Sequence, residues 1–225
     1  MFRIKMCGVT SPEDAVLAVE AGADAVGINF FRESVRYVVP DAAAPIVEAI
    51  RDRAATVAVF VNENPERIAQ ICGKLGIGVV QLSGHESAAS AARIRYPVIK
   101  AVHMENGTGL DAYRDYPCRA FLFDASVPGE YGGTGKSLDW EALGRATGGP
   151  LVRFGKGASS GSGRPWMLAG GLTPENVAEA IRAARPFGVD VASGVEAAPG
   201  KKDAEKMRAF VDRARGGFGI AGIGG

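Results

Sequence analysis

Residues 56–82 read TVAVFVNENPERIAQICGKLGIGVVQL, and this stretch decides how the rest of the chain is understood. An apolar run, Thr56 to Val61, leads into Asn64-Pro65-Glu66. Those three residues are a helix cap, a first-turn proline and an acidic partner for the helix dipole. Ile68, Ile71, Cys72 and Leu75 then recur at i, i+3, i+4 and i+7, so they share one helical face. A second apolar run follows from Gly78 to Leu82. Strand, amphipathic helix and strand in this order form one unit of a parallel sheet.

The same rhythm extends in both directions. Further apolar runs lie at Phe2 to Met6, Asp24 to Phe30, Val98 to Val102, Arg119 to Asp124, Trp166 to Ala169 and Val189 to Ala192, making eight in all. Their continuous apolar character suits strands covered on both faces. Helical spacing recurs at Val177, Ala180, Ile181 and Ala184 after Thr173-Pro174-Glu175, and at Met207, Phe210, Val211 and Ala214 after Asp203. Eight units within residues 1–215 leave little length for anything else, so the expected fold is α/β, a single (β/α)8 TIM barrel. An open doubly wound sheet is the alternative. Residues 155–163 are a Gly/Ser-rich insert ahead of the seventh strand, expected as a flexible loop on the N-terminal face. Residues 216–225 are expected as a flexible glycine-rich tail.

Composition narrows the function classes. At 47% hydrophobic and 23% charged, the 225 residues can bury a sizeable core. Twenty-six Lys and Arg against 25 Asp and Glu give a net charge of +1 without charge blocks, which argues against a nucleic-acid partner. Three cysteines without a C-x-x-C pair point to neither a disulfide framework nor a zinc site. No run reaches about 18 apolar residues, so no membrane partner is expected, and a cytoplasmic location fits best.

Barrel chemistry sits where strands end, which singles out a few polar residues. Cys7 closes the first strand, and alternation places it on one face with Arg3 and Lys5, cations that would favour a thiolate. A small buried hydrophobe is the other reading of Cys7. Asp124 closes the sixth strand and opens a loop, Ala125 to Leu138, carrying four glycines. It is either a loop cap or a group facing the barrel mouth. Gly170-Gly171 after strand seven and Ser193-Gly194 after strand eight can bring backbone N–H groups to a phosphate, or can simply be turns. Arg36, in Ser34-Val35-Arg36-Tyr37, could clamp a carboxylate or lie idle on the surface.

The strings KMCGVT, SVRYV, VVQL, FLFDA with VPGEYGGTGK, LAGGLTPENV and GVD followed by ASGVE, APG and KD fall in order from Lys5 to Asp203. Together they resemble the phosphoribosylanthranilate isomerases of tryptophan biosynthesis. The resemblance implies a (β/α)8 barrel that performs an Amadori rearrangement on a small-molecule phosphoribosyl anthranilate substrate, without metal or organic cofactor, as a monomer or homodimer. It also implies roles. Cys7 falls on the general base, Asp124 on the general acid and Arg36 on the anthranilate carboxylate clamp. Gly170, Gly171, Ser193 and Gly194 fall on the phosphate site, and Asp190 on a position near the ribose. Lys5 is expected to draw the Cys7 pKa down.

The departures from the pattern are Ser83, where the family usually has histidine, Ala192 for serine and Val35 for proline. The alternatives carried forward are the histidine-pathway phosphoribosyl aminoimidazole carboxamide isomerase, which uses aspartate where Cys7 stands, and a non-catalytic phosphosugar-binding barrel.

Overall fold

The computed structural model describes residues 1–103, 110–124, 140–152 and 163–219. The glycine-rich loop expected over residues 125–138 and nearly all of the Gly/Ser insert lie outside the described residues. Eight strands follow the eight apolar runs: β1 Ile4–Cys7, β2 Ala25–Asn29, β3 Ala55–Phe60, β4 Val79–Leu82, β5 Val98–His103, β6 Ala120–Asp124, β7 Arg164–Ala169 and β8 Gly188–Val191. Each pairs in parallel with the next, and β8 returns to β1 through Ile4↔Val189, Lys5↔Asp190 and Met6↔Val191. The sheet is therefore closed, as the barrel reading requires, and the open-sheet alternative is set aside.

Alternation sorts each strand into two sets. Ile4, Met6, Val26, Ile28, Val80, Leu82, Phe121, Phe123, Leu168 and Val189 face outward and merge with the helix stripes into one buried cluster. Ile99, Ala101, Ala120, Leu122, Met167 and Ala169 form a second cluster that fills the barrel interior, with Phe2 and Val79 against it. By the same two-residue period Lys5, Cys7, Gly27, Gln81, Asp124 and Asp190 point inward, toward the C-terminal end of the strands.

The helices are α1 Pro12–Ala21, α2 Pro40–Ala49, α3 Pro65–Leu75, α4 Ala88–Ala92, α5 Trp140–Thr147, α6 Val177–Ala184 and α7 Ala204–Phe218, with a 3₁₀ turn at Leu110–Tyr113. The sequence signals act as expected. Asn64 accepts a hydrogen bond from the Glu66 N–H and buries Ile68, Ile71, Cys72 and Leu75 behind it, while Asp203 accepts from Glu205 and Lys206. Ahead of α6, Asn176 Oδ1 accepts from the Thr173 N–H and Thr173 Oγ1 accepts from the Glu175 N–H, and the regular helix begins at Val177.

Two boundaries differ from expectation. Helix α7 does not stop before Gly216; it runs through Gly217 to Phe218 and is capped by Gly219 at φ +70°. The reason is packing. Gly217 lies where a Cβ would stand 3.1 Å from the Ala178 Cα, a tight approach that glycine eases as α7 packs on α6. Phe218 in turn stacks with the Arg3 guanidinium, 5.2 Å from its ring centre. Of the expected tail, only residues 220–225 lie outside the described residues. The second difference is a short antiparallel pairing of Leu151–Val152 with Arg164–Pro165, too short to leave a periodic signal. It brings Val152 and Arg164, which flank the insert, together at the N-terminal end of β7.

Barrel closure relies on Gly188. A Cβ there would lie 2.3 Å from the Phe2 carbonyl oxygen and 2.9 Å from that of Arg3, both backbone atoms. Gly188→Ala is expected to lower the unfolding free energy by at least about 2 kcal/mol through overpacking at the β8–β1 seam. Gly78→Ala, where a Cβ meets nothing within 4 Å, is expected to change it by under about 1 kcal/mol. Urea titrations of the two variants check the contrast.

Candidate active site

The polar interior is organised around Lys5. Its side chain is fully buried, and its Nζ donates a 2.7 Å hydrogen bond to Asp190 Oδ1 across the seam between β1 and β8. Cys7, two residues along the same strand, lies on the same side. A Cβ on Gly27 would stand 2.8 Å from Cys7 Sγ and 3.1 Å from Lys5 Nζ, so both groups occupy the space that β2 leaves by carrying glycine. Arg3 does not join them. It turns to the other end of the barrel, where it donates to the Phe187 carbonyl and stacks on that ring.

Burial pulls the Lys5 ammonium toward neutrality, but Asp190 and Cys7 more than offset it and hold its pKa above the ordinary lysine value. Burial likewise pushes the Asp190 carboxyl up, with Lys5 opposing and Asp124 adding to the rise. For Cys7 the outcome reverses the expectation from sequence. Burial pushes the thiol up, and the downward pull of Lys5, partly cancelled by Asp190, does not overcome it. The Lys5 charge that should favour a thiolate is already shared with a carboxylate.

Arg36 stands at the mouth beside β1. Its chain covers Gly8, where a Cβ would collide with Arg36 Cδ at 2.3 Å and where φ is +69°, so the residue after Cys7 is glycine on both counts. The guanidinium is held by two parallel bonds to Glu196, Nε to Oε1 and Nη2 to Oε2, each 2.7 Å. Lys202 joins the same carboxylate at 3.0 Å and donates to the Ala192 carbonyl. Burial alone would raise the Glu196 pKa, but the two cations hold it below the usual carboxylate value. Arg36 and Lys202 thus share one carboxylate, and the Lys202 charge also draws the Cys7 pKa down.

Lys202 and Glu196 were not singled out from sequence. They lie in the loop after β8, in the short antiparallel pairing of Glu196–Ala198 with Lys201–Lys202, where no periodicity marks them. Glu196 ends the string ASGVE and Lys202 opens KD, so the signal that could have found them is the resemblance itself.

The loops after β7 and β8 are pressed together. Gly170 and Gly171 have φ of +90° and +63°. A Cβ on Gly194 would fall 1.9 Å from the Leu172 carbonyl oxygen, so the turn Ser193–Val195 rests directly on the preceding loop. Asn176 ties that loop by donating to the Gly171 carbonyl. Ser83 is a hydrogen-bond partner of Gln81, and His85 is exposed with only its backbone N–H fixed, by Asn62. His85 thus does not take the place of the family histidine. Cys72 packs in the core, where burial raises its pKa to about 12, and Cys118 lies beside Arg164.

Fold and site together define a (β/α)8-barrel enzyme with a thiol, carboxylates and cations gathered at its C-terminal mouth, which is equipment for acid–base chemistry. Comparison with known proteins makes the assignment particular. A sequence profile of the family described as N-(5'phosphoribosyl)anthranilate (PRA) isomerase matches residues 4–213. The chain is 46% identical over 215 residues to the N-(5'-phosphoribosyl)anthranilate isomerase of Trichlorobacter lovleyi, covering 96% of this chain and 98% of that one. Its fold is similar to the crystal structure of the Thermotoga maritima phosphoribosyl anthranilate isomerase, with a TM-score of 0.82, 42% identity and coverage of 96% and 100% of the two chains. It is also similar to a phosphoribosyl anthranilate isomerase solved with reduced 1-(o-carboxyphenylamino)-1-deoxyribulose 5-phosphate. That match has a TM-score of 0.77, 37% identity and coverage of 96% and 100%. The chain belongs to the N-(5'-phosphoribosyl)anthranilate isomerase family.

The crowding at β2 yields a test of how the interior is built. Gly27→Ala is expected to lower turnover at least about tenfold by displacing Cys7 Sγ and Lys5 Nζ, while costing about 1–3 kcal/mol of stability. Steady-state rates on folded protein, paired with a urea titration, measure both.

Proposed function

We propose that Cys7 and Asp124 are the base and acid that carry out the family's reaction in this chain. That reaction converts N-(5-phospho-β-D-ribosyl)anthranilate to 1-(2-carboxyphenylamino)-1-deoxy-D-ribulose 5-phosphate. Asp124 gives a proton to the ribose ring oxygen as the C1–O bond breaks, and the nitrogen lone pair forms an iminium. The Cys7 thiolate removes the C2 proton, whose C–H electrons flow to C1 and neutralise the nitrogen. Protonation of the resulting enolamine at C1 and loss of the C2 hydroxyl proton give the ketone. Oxidation at C2 is balanced by reduction at C1 within one molecule, so no external oxidant or reductant enters.

The observation that carries this reading is the placement of Cys7 and Asp124 as the inward-facing last residues of β1 and β6 in one closed barrel. Arg36 receives the anthranilate carboxylate, with Glu196 and Lys202 fixing its plane. Gly170, Gly171, Ser193 and Gly194 hold the phosphate. The positive φ angles of Gly170 and Gly171 and the close contact between the two loops support this, because backbone free of side chains can present N–H groups to an anion. Asp190 stands near the ribose, with its Oδ1 held by Lys5. The enzyme works in the cytoplasm on a soluble small-molecule substrate. Among the described residues no helix is long and apolar enough to cross a membrane.

Cys7→Ala and Asp124→Asn are each expected to reduce kcat by a factor of about 10² to 10⁴ while leaving affinity for the reduced product analogue within about threefold. Loss of substrate fluorescence and equilibrium titration supply the two readings. Unchanged kcat in either variant, or turnover only of the histidine-pathway substrate, would overturn the assignment. Because burial raises the Cys7 pKa, kcat/KM is expected to climb with pH on a limb lying above the ordinary thiol value of about 8.5. Lys5→Met should move that limb higher still, since Lys5 pulls the thiol down.

A further inference from the structure

Gln81 is a polar side chain inside the barrel that neither the fold nor the proposed acid–base pair uses. It stands one residue from the end of β4, with 4% of its surface exposed. Val80 and Leu82 on either side face outward into the helix layer, and Val79, two residues back, packs against the interior cluster. The amide is anchored at one end only, where Nε2 donates to Ser83 Oγ at 3.0 Å. Its Oε1 is buried and has no hydrogen-bond partner, alone in this among the side-chain N and O atoms of the described residues. A buried acceptor left unpaired costs about 1–3 kcal/mol. An apolar residue of the same length would avoid that cost, so the oxygen destabilises the fold unless a donor reaches it.

The order of strands around the barrel says which substrate group that donor is. The phosphate loops follow β7 and β8, and β4 lies on the opposite wall. Arg36, which takes the carboxylate, follows β2, and Asp124, which serves the ring oxygen, ends β6. Strand β4 lies midway between those two. In the substrate, the group between the carboxyphenyl ring and the ring oxygen is C1 with its nitrogen, and that nitrogen carries the N–H that becomes cationic on ring opening.

Resting on the acid–base reading above, we propose that Gln81 contacts the substrate. Its carbonyl oxygen accepts a hydrogen bond from the substrate nitrogen and stabilises the positive charge that forms there as the iminium appears. Ser83 holds the amide so that the oxygen is presented before the charge develops, and a preoriented dipole acts most strongly in a buried site. A bond to a charged donor is worth more than one to a neutral donor, so the contact tightens in the transition state.

Gln81→Met keeps the length and removes the acceptor. It is expected to lower kcat about 10- to 100-fold, with affinity for the reduced product analogue, whose nitrogen is uncharged, changed less than about threefold and the urea midpoint unchanged or raised. Ser83→Ala, which frees the amide without removing it, should lower kcat by a smaller factor. Unchanged kcat in Gln81→Met, or a loss of analogue affinity as large as the loss of kcat/KM, would overturn the proposal. So would a fall in stability with activity intact, since that marks a purely structural amide. Turnover by the parent enzyme in the same assay separates the two levels. Its absence would refute the acid–base reading, whereas its presence with an unaffected Gln81→Met refutes only the role of Gln81.

Discussion

Inside the barrel the Lys5 ammonium lies 2.7 Å from the Asp190 carboxylate, and the two residues belong to the strands that close the sheet. Taking two charges out of water costs several kcal/mol per ion before their attraction is counted, so such a pair is a poor means of gaining stability. What it fixes is position. Lys5 cannot move without taking its hydrogen bond from a buried carboxylate, and Cys7, two residues along the same strand, therefore has a cation held at one place beside it. Gly27 and Gly188 are the steric counterpart, one giving room for the two side chains and the other letting β8 approach the start of β1.

The same pair explains why Cys7 is less acidic than its neighbours would imply. A lysine alone would stabilise the thiolate, but one that shares its charge with Asp190 supplies only part of that field, and burial outweighs the remainder. A thiol so placed holds its proton more of the time than an ordinary cysteine does. A thiol that spends little time ionised is also less exposed to oxidation, because the thiolate is the reactive form. Lys202 contributes to this balance from the loop after β8, which couples the thiol to the mouth of the barrel.

At the mouth, the constraint is charge matching. Arg36 comes from the loop after β2, and Glu196 and Lys202 from the loop after β8, so the bidentate contact also ties together two loops on either side of β1. Glu196 neutralises part of the cationic field but fixes the guanidinium plane over Gly8, exchanging some attraction for orientation. The Thr10 hydroxyl, which donates to the Gly200 carbonyl, and Asp14, which accepts from the Lys202 N–H, pin that second loop to α1 and its leading turn. Gln81, on the far wall, has a buried acceptor that the fold does not satisfy, the kind of local cost that active sites carry in return for function.

The sequence by itself determined the closed barrel, the capped helices α3 and α7 and the strand-end candidates Cys7 and Asp124. Hydrophobic periodicity and cap residues act over a few positions, and their meaning does not depend on distant parts of the chain. It placed the end of α7 too early because glycines at 216 and 217 read as a breaker, whereas contact with Ala178 and Ile181 makes one of them a packing residue. It also had the sign of the Cys7 shift reversed, and it gave no weight to Glu196, Lys202 or the orphaned oxygen of Gln81. Those outcomes rest on which groups meet in space. Lys5 and Asp190 are 185 positions apart, and Arg36 and Glu196 are 160 apart. Only the pairing of β8 with β1 brings each pair together, and burial and charge coupling act over ångströms rather than along the chain.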